Sequence, residues 1–332
     1  MKYLLWAVLL LPLGVSAQQE TPQPAYQADS ATRTLFTDIT TTESRVIAVG
    51  QHGTIVYSDD GEQWQQATSP IDTLLTAVFF IDNQQGWACG HDASILGTTD
   101  GGASWQLLQY RPDLDKPCLD IHFFDKQNGV AVGAYGMYFE TKDGGQNWTK
   151  RFLDSLLYPE DRDYLNDLKV NDPEGYEIET SSILPHFNRI AETSKGLYIA
   201  GEMGLIAHSS SQGQSWQREQ EIYHGSFFDI AEVEGEILVA GLRGNAFKQG
   251  DSGQWQALRT QEQATMNSIV ESNKGGVYIF GNSAVIYRLE NMQQNQLKAR
   301  QRADGKAVMD GAEFAGKLIL ATEAGIQTKE LN

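Results

Sequence analysis

A pattern of paired glycines and a tryptophan returns along this chain at nearly even intervals, and no other feature limits its fold as strongly. The leading glycines stand at Gly50, Gly90, Gly133, Gly201, Gly241 and Gly281, with Thr322 in the seventh place, so the steps are 40, 43, 68, 40, 40 and 41 residues. Each follows an apolar run such as Val46–Val49 or Trp87-Ala88-Cys89. A second glycine follows three residues later at Gly53, Gly136, Gly204 and Gly244. In five units the chain then turns and reaches a tryptophan: Trp64, Trp105, Trp148, Trp216 and Trp255. A fixed period of this length marks a repeat architecture, in which a unit buries its apolar face only against its neighbours.

Each unit reads as four short strands. An apolar run such as Leu74–Ile81 comes first and a glycine-bounded run second. A tight turn leads to a third run such as Thr54–Ser58, and an Asp-Gly turn leads to a fourth that starts at the tryptophan. Four antiparallel strands per unit, radially repeated, predict an all-β, seven-bladed β-propeller. A linear β-solenoid suits a unit of about forty residues less well. The length of 332 residues, which by itself suggests two domains, becomes one closed ring over residues 34–332. The seventh unit ends after its third strand, and the stretch between Tyr26 and Arg33 is expected to supply the fourth and pin the two ends together.

The first residues have a different character. One lysine, an apolar run from Leu4 to Leu13 and the small residues Val15-Ser16-Ala17 form a secretory signal peptide over residues 1–17. The run is too short for a membrane span, which needs about 20 residues. The mature chain is expected to be exported, most simply to a bacterial periplasm, with residues 18–33 as a flexible lead-in. The net charge of −18 argues against nucleic acid as a partner, because phosphate neutralisation needs a basic surface.

Two sets of residues stand out on the repeated frame. The turns between second and third strands are chemically diverse and include His52, His91, Asp92, Tyr135, Met203 and Arg243. Diversity on a constant frame is the signature of a binding face, although exposed turns are also free to vary. The long step hides about 28 extra residues, an insertion over about 154–182 between units three and four. From Asp154 to Glu179 it carries nine acids and two bases, with Tyr158 and Tyr164 among them. It reads either as a lid or docking element on the same face or as a solvated loop. The second set is Asp60, Asp100, Asp143 and Asp251 with the five tryptophans. Thr98-Thr99-Asp100-Gly101-Gly102-Ala103-Ser104-Trp105 fits the Asp box of sialidases and related propellers. Its carboxylates are expected to hold their own turns and its tryptophans to fill the space between blades.

The longer pattern carries a more specific resemblance. Leu75-Thr76-Ala77-Val78-Phe79-Phe80-Ile81-Asp82, then Gly86-Trp87-Ala88-Cys89-Gly90, then the Asp box, resembles the photosystem II stability/assembly factor family, and Cys118–Trp148 repeats the pattern. The resemblance implies a seven-bladed propeller, a non-enzymatic role as assembly, stability or accessory factor, and a membrane protein or envelope complex as partner of a chain that is monomeric by itself. Photosynthetic members use an arginine-rich patch. The only dense basic run here is Lys298-Ala299-Arg300-Gln301-Arg302, which otherwise reads as a solvated outer strand. The competing class is a sialidase-like glycan hydrolase or glycan-binding propeller. Its Arg-Ile-Pro signature is absent, and no Tyr–Glu pair can be assigned by spacing. No cofactor or metal is expected, since the six histidines are scattered without ligand spacing. Cys89 and Cys118 replace buried apolar residues in adjacent units. Export permits a bond between them, and the sequence leaves thiols and disulfide both open.

Overall fold

The computed structural model describes residues 21–250 and 252–331. The expected signal peptide and Asp251 lie outside the described residues. Seven antiparallel sheets follow one another along the chain, each with its strands in sequence order from the inside outward. The innermost strands are Phe36–Thr41, Leu75–Phe80, Cys118–Phe123, Phe187–Thr193, Phe227–Val233, Met266–Glu271 and Val308–Phe314. Each second strand is buried along nearly its whole length, as at Val46–Gly50 and Gly129–Gly133, because a neighbouring blade lies on both of its faces. The apolar clusters therefore sit between blades. Trp105 of blade two packs with Ile47, Val49 and Ile55 of blade one, and Trp216 of blade four meets Tyr138 of blade three edge-on at 6.2 Å.

Six sheets have four strands; the seventh has three, Val308–Phe314, Lys317–Thr322 and Gly325–Glu330. The closing strand expected from the N-terminal stretch is not formed among the described residues. The lead-in bonds to blade one instead: the Ala25 N–H donates to the Ser69 carbonyl at 3.1 Å and Gln27 Nε2 to the Ala67 carbonyl at 3.0 Å. Ala31–Arg33 forms one 3-10 turn.

The insertion is ordered and helical. Helix α1 spans Pro159–Asn171 and helix α2 spans Pro173–Thr180. Each starts with proline at the first helical position, where no N–H is needed. Asp172 caps α2 by accepting the Gly175 N–H at 3.0 Å. Leu153, Leu156, Leu157 and Leu165 sink into the cluster shared by blades three and four, which anchors the hairpin to the ring.

The cysteines form a disulfide. It joins the second strand of blade two to the innermost strand of blade three, with Cα atoms 5.8 Å apart.

Candidate functional site: the funnel and its turn face

All seven innermost strands break register at the same place, between their first and third residues. A bulge of this kind re-aims side chains, and here it frees the second and third residues to reach across to the next blade. Thr37 Oγ1 donates to the Leu75 carbonyl at 2.6 Å and Thr76 Oγ1 to the Cys118 carbonyl at 2.7 Å. Asn188 Nδ2 donates to the Phe227 carbonyl at 2.7 Å and Asn267 Nδ2 to the Val308 carbonyl at 2.8 Å. The remaining seams use aspartates at the third residue. Asp120 accepts the Ile190 N–H at 2.8 Å, Asp229 the Ile269 N–H at 2.6 Å and Asp310 the Ile39 N–H at 3.3 Å. Asp38 adds a second bond to the first seam, from the Val78 N–H at 2.7 Å. Every seam of the ring is thus bridged, and Asp310 closes blade seven on blade one without a shared strand.

Arg189 of blade four stands among these carboxylates. Its Nε is 3.0 Å from Asp229, and its Nη1 is 3.5 Å from Asp120 and 3.6 Å from Asp38. Burial pushes the Asp120 carboxyl up to about 7 against the pull of Arg189. It raises Asp229 as well, and Asp310 further, where the charge of Asp38 adds to burial. Burial opposes the charge on Arg189, yet Asp229, Asp120, Asp38 and Asp310 together hold its pKa well above the ordinary value. One cation among four buried acids is a scaffold arrangement: it neutralises groups whose lone pairs hold the blades together. These residues carry no mark in the sequence reading above, although Asp followed by isoleucine recurs at Asp38, Asp120 and Asp229.

A cavity of about 380 Å³ opens over this cluster, lined by Thr37, Asn188, Phe228, Asn267, His186 and Glu202 among others. Glu202 belongs to a second-to-third-strand turn, so the funnel opens toward the turn face. The turns themselves share an unusual backbone. His52, Asp92, Tyr135, Met203, Arg243 and Ser283 all lie in the left-handed region, with φ between 53 and 58°. The next residue is left-handed too, and four times it is glycine. At Gly53 a Cβ would stand 1.8 Å from the Ile71 carbonyl oxygen, so the connection to the next blade demands glycine there. The residue before it pays the left-handed cost without that remedy, about 1 kcal/mol each. Met203 is 60% exposed and Tyr135 45%. His52, His91 and Arg243 are exposed and Asp92 half-buried.

The insertion adjoins this face. Tyr135 packs edge-on against His186 at 4.6 Å, and the Gly136 N–H donates to the Pro185 carbonyl at 2.9 Å. Lys116 donates to the Ser181 carbonyl at the end of the hairpin. Tyr158 is half-buried under the Arg218 guanidinium, 4.2 Å from its ring, whereas Tyr164 is exposed on α1. Tyr158 thus braces the hairpin, and Tyr164 faces outward with Val170 and Ile178.

The Asp-Gly turns keep their carboxylates to themselves. Asp100 accepts Thr98 Oγ1 at 2.8 Å, the Ser104 N–H at 3.0 Å and Ser104 Oγ at 2.6 Å. Asp143 makes the matching set with Thr141 and Asn147, and the Asn147 amide lowers its pKa most. Asp60 accepts the N–H groups of Glu62 and Gln63. Trp105 and Trp216 are buried, and Trp64, Trp148 and Trp255 half-buried.

Comparison with known proteins points the same way as the residues. The family model described as photosynthesis system II assembly factor YCF48 matches residues 57–116 and 108–194. This supports the resemblance drawn from Leu75–Trp105 and Cys118–Trp148. The solved structure described as YCF48 bound to D1 peptide is similar at 16% identity and a TM-score of 0.67, covering 94% of this chain and all of the other. YCF48 from Cyanidioschyzon merolae is similar at 14% identity and a TM-score of 0.63, covering 90% of this chain and 95% of that one. The WD40 propeller domain of Doa1 is similar at 12% identity and a TM-score of 0.65, covering 93% and 95%. No curated protein matches the chain.

Proposed function

We propose that this propeller, similar over residues 57–194 to the photosynthesis system II assembly factors, is an exported, non-enzymatic assembly or stability factor that holds a segment of a membrane-complex subunit on its turn face. The observation that carries the reading is the ring of left-handed turns. Six blades present a different side chain at one backbone position around the mouth of one funnel, each at a conformational cost that folding alone does not require. The insertion, which meets the turn face at Ser181, adds an exposed tyrosine, valine and isoleucine. The similar protein captured with a D1 peptide supports a peptide segment as the ligand form. The buried acids of the channel are committed to neighbouring N–H groups and to Arg189, which favours a scaffold role for them over hydrolysis.

The test is capture from detergent-solubilised membranes of the source cell. A tagged wild-type chain is compared with one carrying Tyr135→Ser, Met203→Ser and Tyr164→Ser. All three side chains are exposed, so the fold tolerates the changes. Loss of a membrane subunit that the wild type retains supports the reading. Equal retention by both, or hydrolysis of a sialoside by the wild type, contradicts it.

A further inference from the structure

Among the described residues, blade seven has no fourth strand, and its third is the sheet edge. In blade six the third strand, Val285–Leu289, has no exposed residue, because Lys298–Gln301 covers it. In blade seven the corresponding strand is Gly325–Glu330, and Thr328, Lys329 and Glu330 are exposed. A strand without an outer partner leaves alternate N–H and C=O groups free to pair with another chain. The lead-in meets the start of this strand: a Cβ on Gly325 would stand 2.2 Å from the Thr32 carbonyl oxygen, and Ala31 packs in the same apolar cluster as Ile326.

Beside this edge lies a groove of about 430 Å³ between blades six and seven. Tyr278, Ile286 and Leu318 give it an apolar wall, and its charged lining is mainly basic, with Lys298, Arg300 and Lys329 outnumbering Glu290 and Glu330. Lys298 shares Glu290 at 3.5 Å, and Arg302 is taken up by Asp304 and Gln327. Arg300 and Lys329 have no carboxylate within 4.0 Å among the described residues. In a chain of net charge −18, two such cations beside a free edge point to an acidic guest. The strand's side chains alternate as a guest would need. Gln327 meets Arg302 of blade six and Lys329 lines the groove, whereas Thr328 Oγ1 donates to the Gly61 carbonyl of blade one at 3.3 Å.

We propose that Gly325–Glu330 takes an extended acidic segment of a partner protein as the fourth strand of blade seven. Backbone pairing supplies the register, and acids at every second position reach Arg300 and Lys329. This site shares no residue with the turn face and can succeed or fail independently of it.

The probe is a fluorescein-labelled peptide, Thr-Glu-Val-Glu-Val-Glu-Thr, titrated with the full mature chain and followed by anisotropy. Two isomers N-methylated at alternate amides, one for each phase, serve as controls. Saturable binding is expected, together with hydrogen-exchange protection of residues 326–330 on binding. The double variant Arg300→Glu, Lys329→Glu should weaken binding at least tenfold, with circular dichroism unchanged. One N-methylated isomer should fail and the other should bind. Absence of saturable binding overturns the proposal. So does equal binding of both isomers, which would reduce the contact to charge alone. Protection of the edge amides before peptide is added, lost when residues 18–24 are removed, also overturns it, because the chain's own lead-in would then be the occupant.

Discussion

Replacing Arg189 by methionine removes the single cation from the channel while keeping most of its volume. Asp38, Asp120 and Asp229 lose contacts of 3.6, 3.5 and 3.0 Å, and Asp310 loses a charge that offsets its burial. Removing one partner of a buried ionic group costs about 3–5 kcal/mol. For a ring of about 300 residues that is a fall in Tm of about 5–8 °C. The pH dependence gives a second readout. The Asp120 carboxyl is held at about 7 in the folded state, against about 3.9 when unfolded. The folded state therefore binds more protons than the unfolded state across that window. Its stabilising proton is fully present below about pH 4, and stability falls as pH rises toward 7. Without Arg189 the acids rise further, so the loss should be largest at pH 7.5 and smaller at pH 5.5. The groups facing one another across the channel are these four acids and Arg189, with His186 and Glu202 at the cavity wall. The assay is urea unfolding at both pH values, followed by tryptophan fluorescence. A loss under about 1 kcal/mol, or an equal loss at both pH values, would refute the account of the channel as one electrostatic unit.

Reducing the Cys89–Cys118 bond, which closes a 29-residue separation, should cost about 3–4 kcal/mol, measured as a lower urea midpoint with dithiothreitol. Thr76→Val removes the hydroxyl that bridges the same seam and should cost about 1 kcal/mol oxidised and more when reduced, since neighbours at one seam couple. Met203→Gly should stabilise the fold by about 1 kcal/mol, because glycine accepts a φ of 54° freely, while it weakens capture of the membrane partner. A stability gain with unchanged capture would remove Met203 from the binding face.

The period of forty residues made the blades legible, because seven copies of one unit leave little freedom for any other arrangement. The stitching of the blades was harder to read for a definite reason. Aspartate at the third position serves blades one, three, five and seven, while threonine or asparagine at the second position serves blades one, two, four and six. No single column of the repeat is constant, so each looks like ordinary variation. The same division of labour closes the ring without a shared strand among the described residues. Asp310 already bonds blade one, and the lead-in finds partners at Ser69 and Ala67. The helices of the insertion had a sequence signal only in Pro159 and Asp172-Pro173, while their acidic composition left a docking element and a solvated loop both open. In the turns, the side chains from His52 to Arg243 stood out by their diversity, whereas the left-handed backbone that most of them share has no sequence signal beyond the glycine that follows in four blades.

Which face meets the partner can be measured by placing a photo-crosslinking amino acid at Met203 or Tyr164 on the turn side, and at Gln146 in an Asp-Gly turn, then irradiating intact cells. The account predicts an adduct with one membrane subunit from Met203 and Tyr164 and none from Gln146. Adducts from Gln146 alone, or equally from all three positions, would contradict it.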